Sequence, residues 1–296
     1  MTAAPYAWAL FTVAAAAAQT ARNAMQRGLT AKVGVTAASW ARFIFALPFA
    51  LVSLAVVLCF EPGRVSVRDD YWVWLLVGSL SQMAATATML LAMRERSFVT
   101  VTAYTKTEPL QVAIFSLVFL AEALTPLRSL AVALGTAAVM LISWPRGDAA
   151  RDLHGAGWGI AAGSGFAMAA VGYRGAITGV EGVSFLSAAT LSLAATLCIQ
   201  TAVSITWLLA TNRASLRALF VAWRESVPAG FAGAVASQCW FLAFALHAAS
   251  AVRTLALIEV LFAQAVSWRL LRERTSRREV AGMVLLGVAL VLILRS

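Results

Sequence analysis

Long apolar stretches separated by short polar segments run along the whole chain. Because a helix that crosses a bilayer needs about 20 mostly apolar residues, each such stretch predicts a membrane-spanning helix. The pattern predicts ten spans, at residues 5–26, 35–60, 71–93, 98–121, 126–144, 155–178, 184–210, 226–246, 250–271 and 279–295. The segments between them, among them EPGRVSVRDD, TNRASLRALFVAWRES and RERTSRRE, carry most of the charge and are predicted loops.

The composition agrees with an all-α polytopic membrane protein. Of 296 residues, 61% are hydrophobic and 12% are charged, whereas soluble domains have about 45–50% apolar and about 25% charged residues. Ten spans with short loops occupy about 300 residues, so no sizeable soluble domain is expected. The N-terminus has no basic region ahead of the first span, and a cleavable signal peptide is therefore not predicted.

The net charge of +10 is explained by the membrane and not by nucleic acid. The arginines and lysines lie mainly in the predicted loops, thirteen in the odd-numbered loops and five in the even-numbered loops, at the span ends beside them and at the C-terminus. Because cytoplasmic loops carry the excess of basic residues, this distribution predicts odd loops in the cytoplasm and both termini outside. Abundant arginine and alanine favour a bacterial source, and hence a bacterial inner membrane.

The two halves of the chain resemble each other. The segment YTKTEPLQVAIFSLVFLAE (104–122) aligns without a gap on LALIEVLFAQAVSWRLLRE (255–273), which places Glu108 on Glu259 and Glu122 on Glu273. Weaker matches pair Trp8 with Trp158, Arg22 with Arg174, and Ser81-Gln82 with Ser237-Gln238. The predicted repeats are residues 1–148 and 149–296. With five spans each, the second repeat enters the membrane inverted, as in many secondary transporters.

The order of these motifs resembles the EamA-like branch of the drug/metabolite transporter superfamily over nearly the whole chain. The resemblance is carried by ARFIFALP with Arg42, by EPLQVAIFSLVFLAEALTP, and by EVLFAQAVSWRLLRERTSRREVAGMVLLGVALVLI. The second copy departs from the first in having Val260 where the first has Pro109. The resemblance implies two inverted five-helix halves that carry small metabolites such as amino acids, often outward. It also implies both termini inside, against the charge distribution.

Ionisable residues inside the predicted spans are the main candidates for function. Each costs about 2.5–3.5 kcal/mol at the centre of a spanning helix, and such residues usually face the bundle interior or a water cavity. The candidates for coupling or substrate binding are Glu108, Lys106, Glu259, Arg42, Arg22 and Arg174.

Glu108 is the strongest of these candidates. It lies about ten residues, or roughly 15 Å, into its span, and neighbours on its helical face include Tyr104, Thr105 and Gln111. Pro109 removes a backbone donor and predicts a local break in the helix. Glu108 then either takes up a proton or a substrate amine, or forms a buried ion pair with Arg42, Arg22 or Arg174.

The other charges have two interpretations each. Lys106 is about 200° around the helix from Glu108 and is not expected to pair with it. Glu259 lies on an apolar helix face, which favours an ion pair. The position of Arg42 early in the second predicted span favours a structural role for this residue. Arg22 and Arg174 either bind a substrate anion or anchor helix ends, and Glu122 and Glu273 are predicted helix-end or loop partners.

Uncharged polar residues within the spans are expected to line part of a pocket or to pack helices. They are Gln19, Asn23, Gln82, Tyr104, Thr105, Tyr173, Gln238 and Trp240. The segments GAGWG (155–159) and GSG (163–165) are predicted to be packing faces of small residues.

Together these features predict a secondary transporter that works by alternating access with proton coupling or exchange. The surplus of positive charge among the candidates favours amino acids, related zwitterions or organic anions as substrates. The partners are then a small molecule, the lipid bilayer and protons. The alternative is a flippase of lipid-linked or amphiphilic substrates. No phosphate-binding loop of the form GxxxxGK[ST] occurs, so ATP is not an expected partner. Neither a metal, a cofactor nor a catalytic constellation is predicted, since the three cysteines and two histidines show no suitable spacing.

Overall fold

The computed structural model describes residues 5–61, 63–96, 98–144, 152–266 and 276–296. Within these ranges the chain is almost entirely α-helical. The first seven helices are α1 (Ala7–Ile44), α2 (Leu47–Phe60), α3 (Tyr71–Glu95), α4 (Phe98–Thr105), α5 (Glu108–Leu120), α6 (Pro126–Ser143) and α7 (Leu153–Thr178). The remaining ones are α8 (Phe185–Thr211), α9 (Arg213–Val221), α10 (Trp223–Leu246), α11 (Ala249–Leu255), α12 (Ile258–Val266) and α13 (Arg277–Leu294).

Five helical stretches in the described residues are long and apolar enough to cross a membrane by themselves. They are Ala37–Phe60, Tyr71–Met93, Pro126–Ser143, Phe185–Thr211 and Trp223–Leu246. The predicted all-α polytopic membrane protein is confirmed at this level. The count of ten spans and the inverted repeat stay predictions, because several helices are interrupted and each piece is then shorter than a span.

The differences from the predicted spans lie at particular residues. The first two predicted spans run into one another as α1, which changes direction at Gly34, where φ is 83°. Only a residue without a Cβ adopts this conformation at little cost. The prediction that TNRASLRALFVAWRES is a loop is wrong in part, because Arg213–Val221 forms α9. The end of the ninth predicted span, from residue 267, and Glu273 after it lie outside the described residues.

Large apolar side chains are exposed along several of the helices. Phe60 is 82% exposed, Leu10 72%, Val118 67% and Val284 65%. Such surface is unfavourable in water, at about 25 cal/mol per Å², but matches the hydrocarbon of a bilayer. The exposed Trp72 and Trp207 are of the type that anchors helices at the membrane interface.

The chain divides into two compact units, each of which draws on both halves of the sequence. Unit 1 comprises Met1–Ser79 and Gly172–Leu246. In it α1 packs along α10, and α2 packs on α8. Its apolar core includes Leu29, Ile44, Phe45, Leu208 and Leu219, and Gly230 of α10 lies directly against the backbone of Phe45.

Unit 2 comprises Leu80–Val171 and His247–Ser296. Here α6 packs along α13, and α11 packs on α5 and α6. Gly282 of α13 sits against Ile142, and Gly135 of α6 sits against Thr254 and Leu257. Small residues at these points let the helices approach closely, as is typical of helix packing in membranes.

A polar connection joins two loops of unit 1. Strand β1 (Ser66–Val67) pairs with strand β2 (Val180–Glu181) in antiparallel register. Beside it, Glu61 at the end of α2 accepts hydrogen bonds from the hydroxyls of Ser184 and Ser187. Both hydrogen bonds lower the pKa of the Glu61 carboxyl, the one from Ser184 by more, because they stabilise its ionised form.

Replacing Gly172 by alanine is expected to destabilise the protein. A Cβ at Gly172 would lie 2.5 Å from the backbone nitrogen of Gly78 and 2.7 Å from its Cα, so α3 and α7 would have to move apart at this point. Overpacking of this kind costs about 1–3 kcal/mol, and we expect a lower melting temperature in detergent. The control is Gly287→Ala, because no described atom beyond the backbone of its own helix and its chain neighbours lies within 4 Å of that Cβ position. An equal melting temperature for both variants would contradict the close approach.

Candidate functional site

Two helices of unit 2 are interrupted at places that align to within one residue. The first break, Lys106–Thr107, separates α4 from α5, and the second break, Ala256–Leu257, separates α11 from α12. At both, the backbone tightens into turns: Lys106 N–H donates to Ala103 O at 3.1 Å, and Leu257 N–H donates to Thr254 O at 3.2 Å. The break predicted from Pro109 is therefore present. Since the second copy has Val260 at the aligned position, proline is not required for a break.

Each break creates a helix C-terminus and a helix N-terminus, and side chains of the opposite charge to the helix dipole lie at these ends. Glu108 and Glu259 are in the first turns of α5 and α12, where the partial positive charge of the helix N-terminus stabilises a carboxylate. Arg253 is in the last turn of α11, and Lys106 directly follows the last residue of α4. Cations are stabilised at these C-terminal ends for the same reason.

These four residues form two ion pairs that cross between the halves of the sequence. An Nη2 atom of Arg253 lies 2.5 Å from Oε1 of Glu108, and Nζ of Lys106 donates to Oε1 of Glu259. Each carboxylate is thus paired with a cation from the other half. We call Lys106, Glu108, Arg253 and Glu259 the four-charge cluster; its formal charge is zero when all four are ionised.

The cluster is largely shielded from solvent. The Glu108 side chain is 11% exposed and that of Arg253 is 20% exposed, while Lys106 and Glu259 are 29% and 22% exposed. Taking one charge away from a buried pair leaves the other uncompensated, which costs about 3–5 kcal/mol. Protonation of Glu108 therefore carries a free-energy cost at the Glu108–Arg253 pair.

The predicted polar stripe surrounds the first break. Thr105 donates through its hydroxyl to Val101 O at 2.8 Å and lies 3.2 Å from Gly159 O. Gln111 donates to Thr107 Oγ1 at 2.9 Å, and its own Oε1 is buried without a hydrogen-bond donor among the described residues. Polar atoms thus continue from Glu108 along the face of α5.

Glycines of α7 lie directly against this break. A Cβ at Gly159 would lie 2.6 Å from Val101 O and 2.8 Å from Tyr104 Cβ, and one at Gly163 would lie 3.1 Å from Thr105 O. The predicted packing faces around residues 155–159 and 163–165 are confirmed at these positions. The ring of Tyr104 is tilted relative to that of Trp144, and the two ring centroids lie 6.3 Å apart.

Two arginines lie inside unit 1. Arg22 is 9% exposed and donates to Asn23 Oδ1 at 2.9 Å. The Arg42 guanidinium lies over the Phe43 ring, 4.5 Å from its centroid. Arg42 is also close enough to Arg22 and Tyr173 to interact with both electrostatically. Two like charges that interact in this way disfavour each other's charged form.

Most of the predicted pocket-lining residues of unit 1 form hydrogen-bonded pairs. Trp240 Nε1 donates to Gln19 Oε1 at 3.2 Å, and Gln238 donates to Thr190 Oγ1 at 2.9 Å. Tyr173 receives a hydrogen bond from Gln200 at 3.0 Å. In unit 2, Gln82 lies in α3, where its backbone carbonyl accepts from Thr86.

Arg174 and Glu108 each contact partners that bear on the alternatives left open by the sequence. Arg174 donates to the carbonyls of Phe244 and Ala245 near the end of α10, which is the helix-end anchoring role. The predicted pairing of Glu108 with Arg42, Arg22 or Arg174 is wrong, because its partner is Arg253. Lys106 pairs with Glu259 and not with Glu108, so the ion pair expected for Glu259 is confirmed.

Sequence reasoning misses Arg253 and Gln200. The count of basic residues assigns Arg253, at the start of the predicted span 250–271, to the adjoining loop, yet Arg253 stands inside α11. The available signal is the run AVRTLALIEV, in which one cation stands among apolar residues six positions before Glu259. Gln200 is an amide in the 27-residue apolar helix α8 and is 2% exposed, a combination that predicts a buried polar partner.

Comparison with known proteins gives a family and a fold. Residues 6–144 match the sequence model of the EamA-like transporter family. A solved crystal structure is similar with a TM-score of 0.69 at 14% sequence identity, over 96% of this chain and 97% of that chain. At that identity the likeness shows the fold alone. No curated protein matches the sequence.

Proposed function

Since residues 6–144 of this chain match the sequence model of the EamA-like transporter family, we propose that it is a secondary active exporter of amino acids or related zwitterions and organic anions. The chain is a multi-pass helical membrane protein, and the family makes it a transporter of the drug/metabolite type. The substrate class, the direction of transport and the proton coupling are what we propose beyond the family match. The breaks, which align to within one residue, and a family match that ends at residue 144, support two repeats at 1–148 and 149–296.

The observation that carries the proposal is the four-charge cluster at the two helix breaks. Ionisable groups at membrane depth are expensive and mark substrate or ion pathways. Interrupted helices whose ends face charged groups are the usual framework of substrate sites in secondary transporters. In this cluster, each ion pair joins one broken helix to the other, so opening a pair also releases two helix ends.

A zwitterion fits the Glu108–Arg253 pair without leaving any charge uncompensated. Its ammonium group pairs with the Glu108 carboxylate, and its carboxylate pairs with the Arg253 guanidinium in the planar, two-bonded geometry that arginine favours. The cluster is neutral and the substrate is neutral, so the complex is neutral as well. A lipophilic cation, by contrast, would displace Arg253 and leave its charge unpaired.

Proton coupling follows from competition at the same carboxylate. A proton on Glu108 removes the charge that holds the substrate ammonium, so substrate and proton exclude one another. Substrate affinity then falls as pH falls. With the outside more acidic than the cytoplasm, Glu108 binds substrate on the inner side and exchanges it for a proton on the outer side, which drives export.

Arg22 and Arg42 remain candidates for holding an anionic group in unit 1. The electrostatic interaction of Arg42 with Arg22 supports this role, since an anion would offset the repulsion between two positive charges. The bacterial inner membrane, and an orientation with both termini outside, are likewise proposed from the composition and the distribution of basic residues.

The proposal is tested with purified protein in proteoliposomes whose lumen is acidic and whose outside is neutral. We expect a zwitterionic amino acid to accumulate in the acidic lumen, and a protonophore to abolish the accumulation. Each amino acid of the panel is compared with the matched amine that lacks the carboxylate and with the matched acid that lacks the amine. The zwitterion is expected to be transported best, because only it satisfies both Glu108 and Arg253.

The contradicting outcome is equally specific. Accumulation of quaternary ammonium compounds, with amino acids and organic acids ignored, would refute the proposed substrate class. Equal transport in the presence and absence of the pH gradient would refute proton coupling while leaving the substrate class in place.

A further inference from the structure

Helix α9 of unit 1 is short, amphipathic and lies outside the five membrane-crossing stretches. It begins after Asn212, whose side chain accepts a hydrogen bond from Ser215 N–H at 3.0 Å, and it ends at Val221. Leu219 is fully buried in the apolar core of the unit, with Leu216 packed beside it. One face of α9 is thereby fixed to the protein.

The remaining surface of α9 combines cations with exposed apolar groups. Arg213 and Arg217 are exposed and, being four residues apart, lie on the same face of the helix. Phe220 is 51% exposed and Val221 76% exposed beside them. A helix with basic residues next to exposed apolar ones is typical of segments that lie in the membrane interface.

The residues after α9 likewise combine a basic side chain with an exposed apolar one. Trp223 is 53% exposed, and the Arg224 guanidinium lies over its ring, 5.5 Å from the centroid. Glu225, the acidic residue of this segment, is paired with Lys32 at 2.5 Å. No described carboxylate forms an ion pair with Arg213, Arg217 or Arg224, so their charges are available to a partner.

We infer that α9 and the residues after it, Arg213–Arg224, form a binding surface for the headgroups of anionic phospholipids. Phe220, Val221 and Trp223 enter the acyl boundary, and Arg213 and Arg217 contact the phosphates. Arginine suits this partner because its planar fork binds phosphate oxygens through two parallel hydrogen bonds. An anionic lipid surface attracts each such residue in addition to its apolar contacts. The inference depends on the chain lying in a membrane and not on its substrate.

The test measures lipid binding to the purified full-length protein in detergent by native mass spectrometry. The probes are phosphatidylglycerol, phosphatidylcholine of the same acyl chains, and inorganic phosphate. We expect phosphatidylglycerol to bind about tenfold or more tightly to the native protein than to the R213Q/R217Q variant. Phosphatidylcholine and phosphate are expected not to distinguish the two proteins.

The matched control is R64Q/R295Q, which removes the same charge from exposed arginines elsewhere and is expected to bind phosphatidylglycerol like the native protein. Arg217→Lys keeps the charge and should retain most of the affinity. Should R213Q/R217Q fail to fold, the single variant Arg217→Gln gives the same comparison. Unchanged phosphatidylglycerol affinity in the α9 variants, equal loss in the control, or equal binding of phosphate alone would each overturn the inference.

Discussion

Replacing Glu108 by glutamine is expected to abolish transport driven by a pH gradient while the protein still inserts and folds. Glutamine keeps the shape of the side chain, and its amide oxygen can accept a hydrogen bond from Arg253. Because the Glu108 charge that pairs with Arg253 is lost, a lower melting temperature is expected as well. It can neither take up a proton nor compensate the charge of a substrate ammonium. Hydrogen bonds to charged groups contribute about 1.5–3 kcal/mol, so substrate affinity is expected to fall by about tenfold or more.

The measurement compares uptake into acidic proteoliposomes over a range of outside pH. The native protein is expected to lose substrate affinity as pH falls, and Glu108→Gln to show low transport that does not change with pH. Glu108→Asp keeps the carboxylate and should retain a pH dependence. Glu122→Gln, which removes a carboxylate after the end of α5, is the matched control and should behave like the native protein. An unchanged rate and pH profile in Glu108→Gln would refute the role of Glu108.

Reversing the Lys106–Glu259 pair is expected to separate ion pairing from the chemical identity of each residue. Lys106→Glu places two carboxylates opposite each other, and Glu259→Lys places two ammonium groups opposite each other. Each single variant should lower the melting temperature and the transport rate. The double variant restores an attractive pair, and residues in contact typically show coupling energies of about 0.5–3 kcal/mol.

Recovery in the double variant is expected to be partial. A lysine at position 259 would lie in the first turn of α12, and a glutamate at position 106 would follow the end of α4. Both oppose the helix dipoles, at about 0.3–1 kcal/mol each. The same exchange at Lys32 and Glu225, whose side chains are 59% and 43% exposed, is the control; exposed pairs contribute about 0–1 kcal/mol, so little change is expected. Strictly additive effects at Lys106 and Glu259 would show that they do not act as a pair.

Several features of the site can be predicted from local sequence. Glu108 stands out because a carboxylate in an apolar run is rare, and its polar neighbours follow from helical spacing. Pro109 predicts the first break, since proline is accepted at the start of a helix and disfavoured in its interior. The alignment of Glu108 on Glu259 identifies both carboxylates of the cluster by their position in the repeat.

Other features depend on residues that are distant in sequence. The second break has no proline, and the charges of Lys106 and Arg253 lie near its ends. These meet Glu259 and Glu108 across 153 and 145 positions of the chain. Hydropathy alone does not identify Arg253 as a site residue, because it lies at the start of the predicted span 250–271, where apolar windows do not separate a helix end from a loop. The helical state of α9 depends on burial of Leu219, which the charge-rich local sequence does not reveal.

The most direct test of the central claim, that substrate and proton compete for Glu108, is the number of protons released when substrate binds. The purified protein is mixed in weakly buffered solution with the amino acid that proteoliposomes accumulate, at a pH at which Glu108 is protonated. A pH indicator is expected to report about one proton released per substrate bound to the native protein, and none for Glu108→Gln. Binding to the native protein without proton release at any pH, or equal release by Glu108→Gln, would contradict the account.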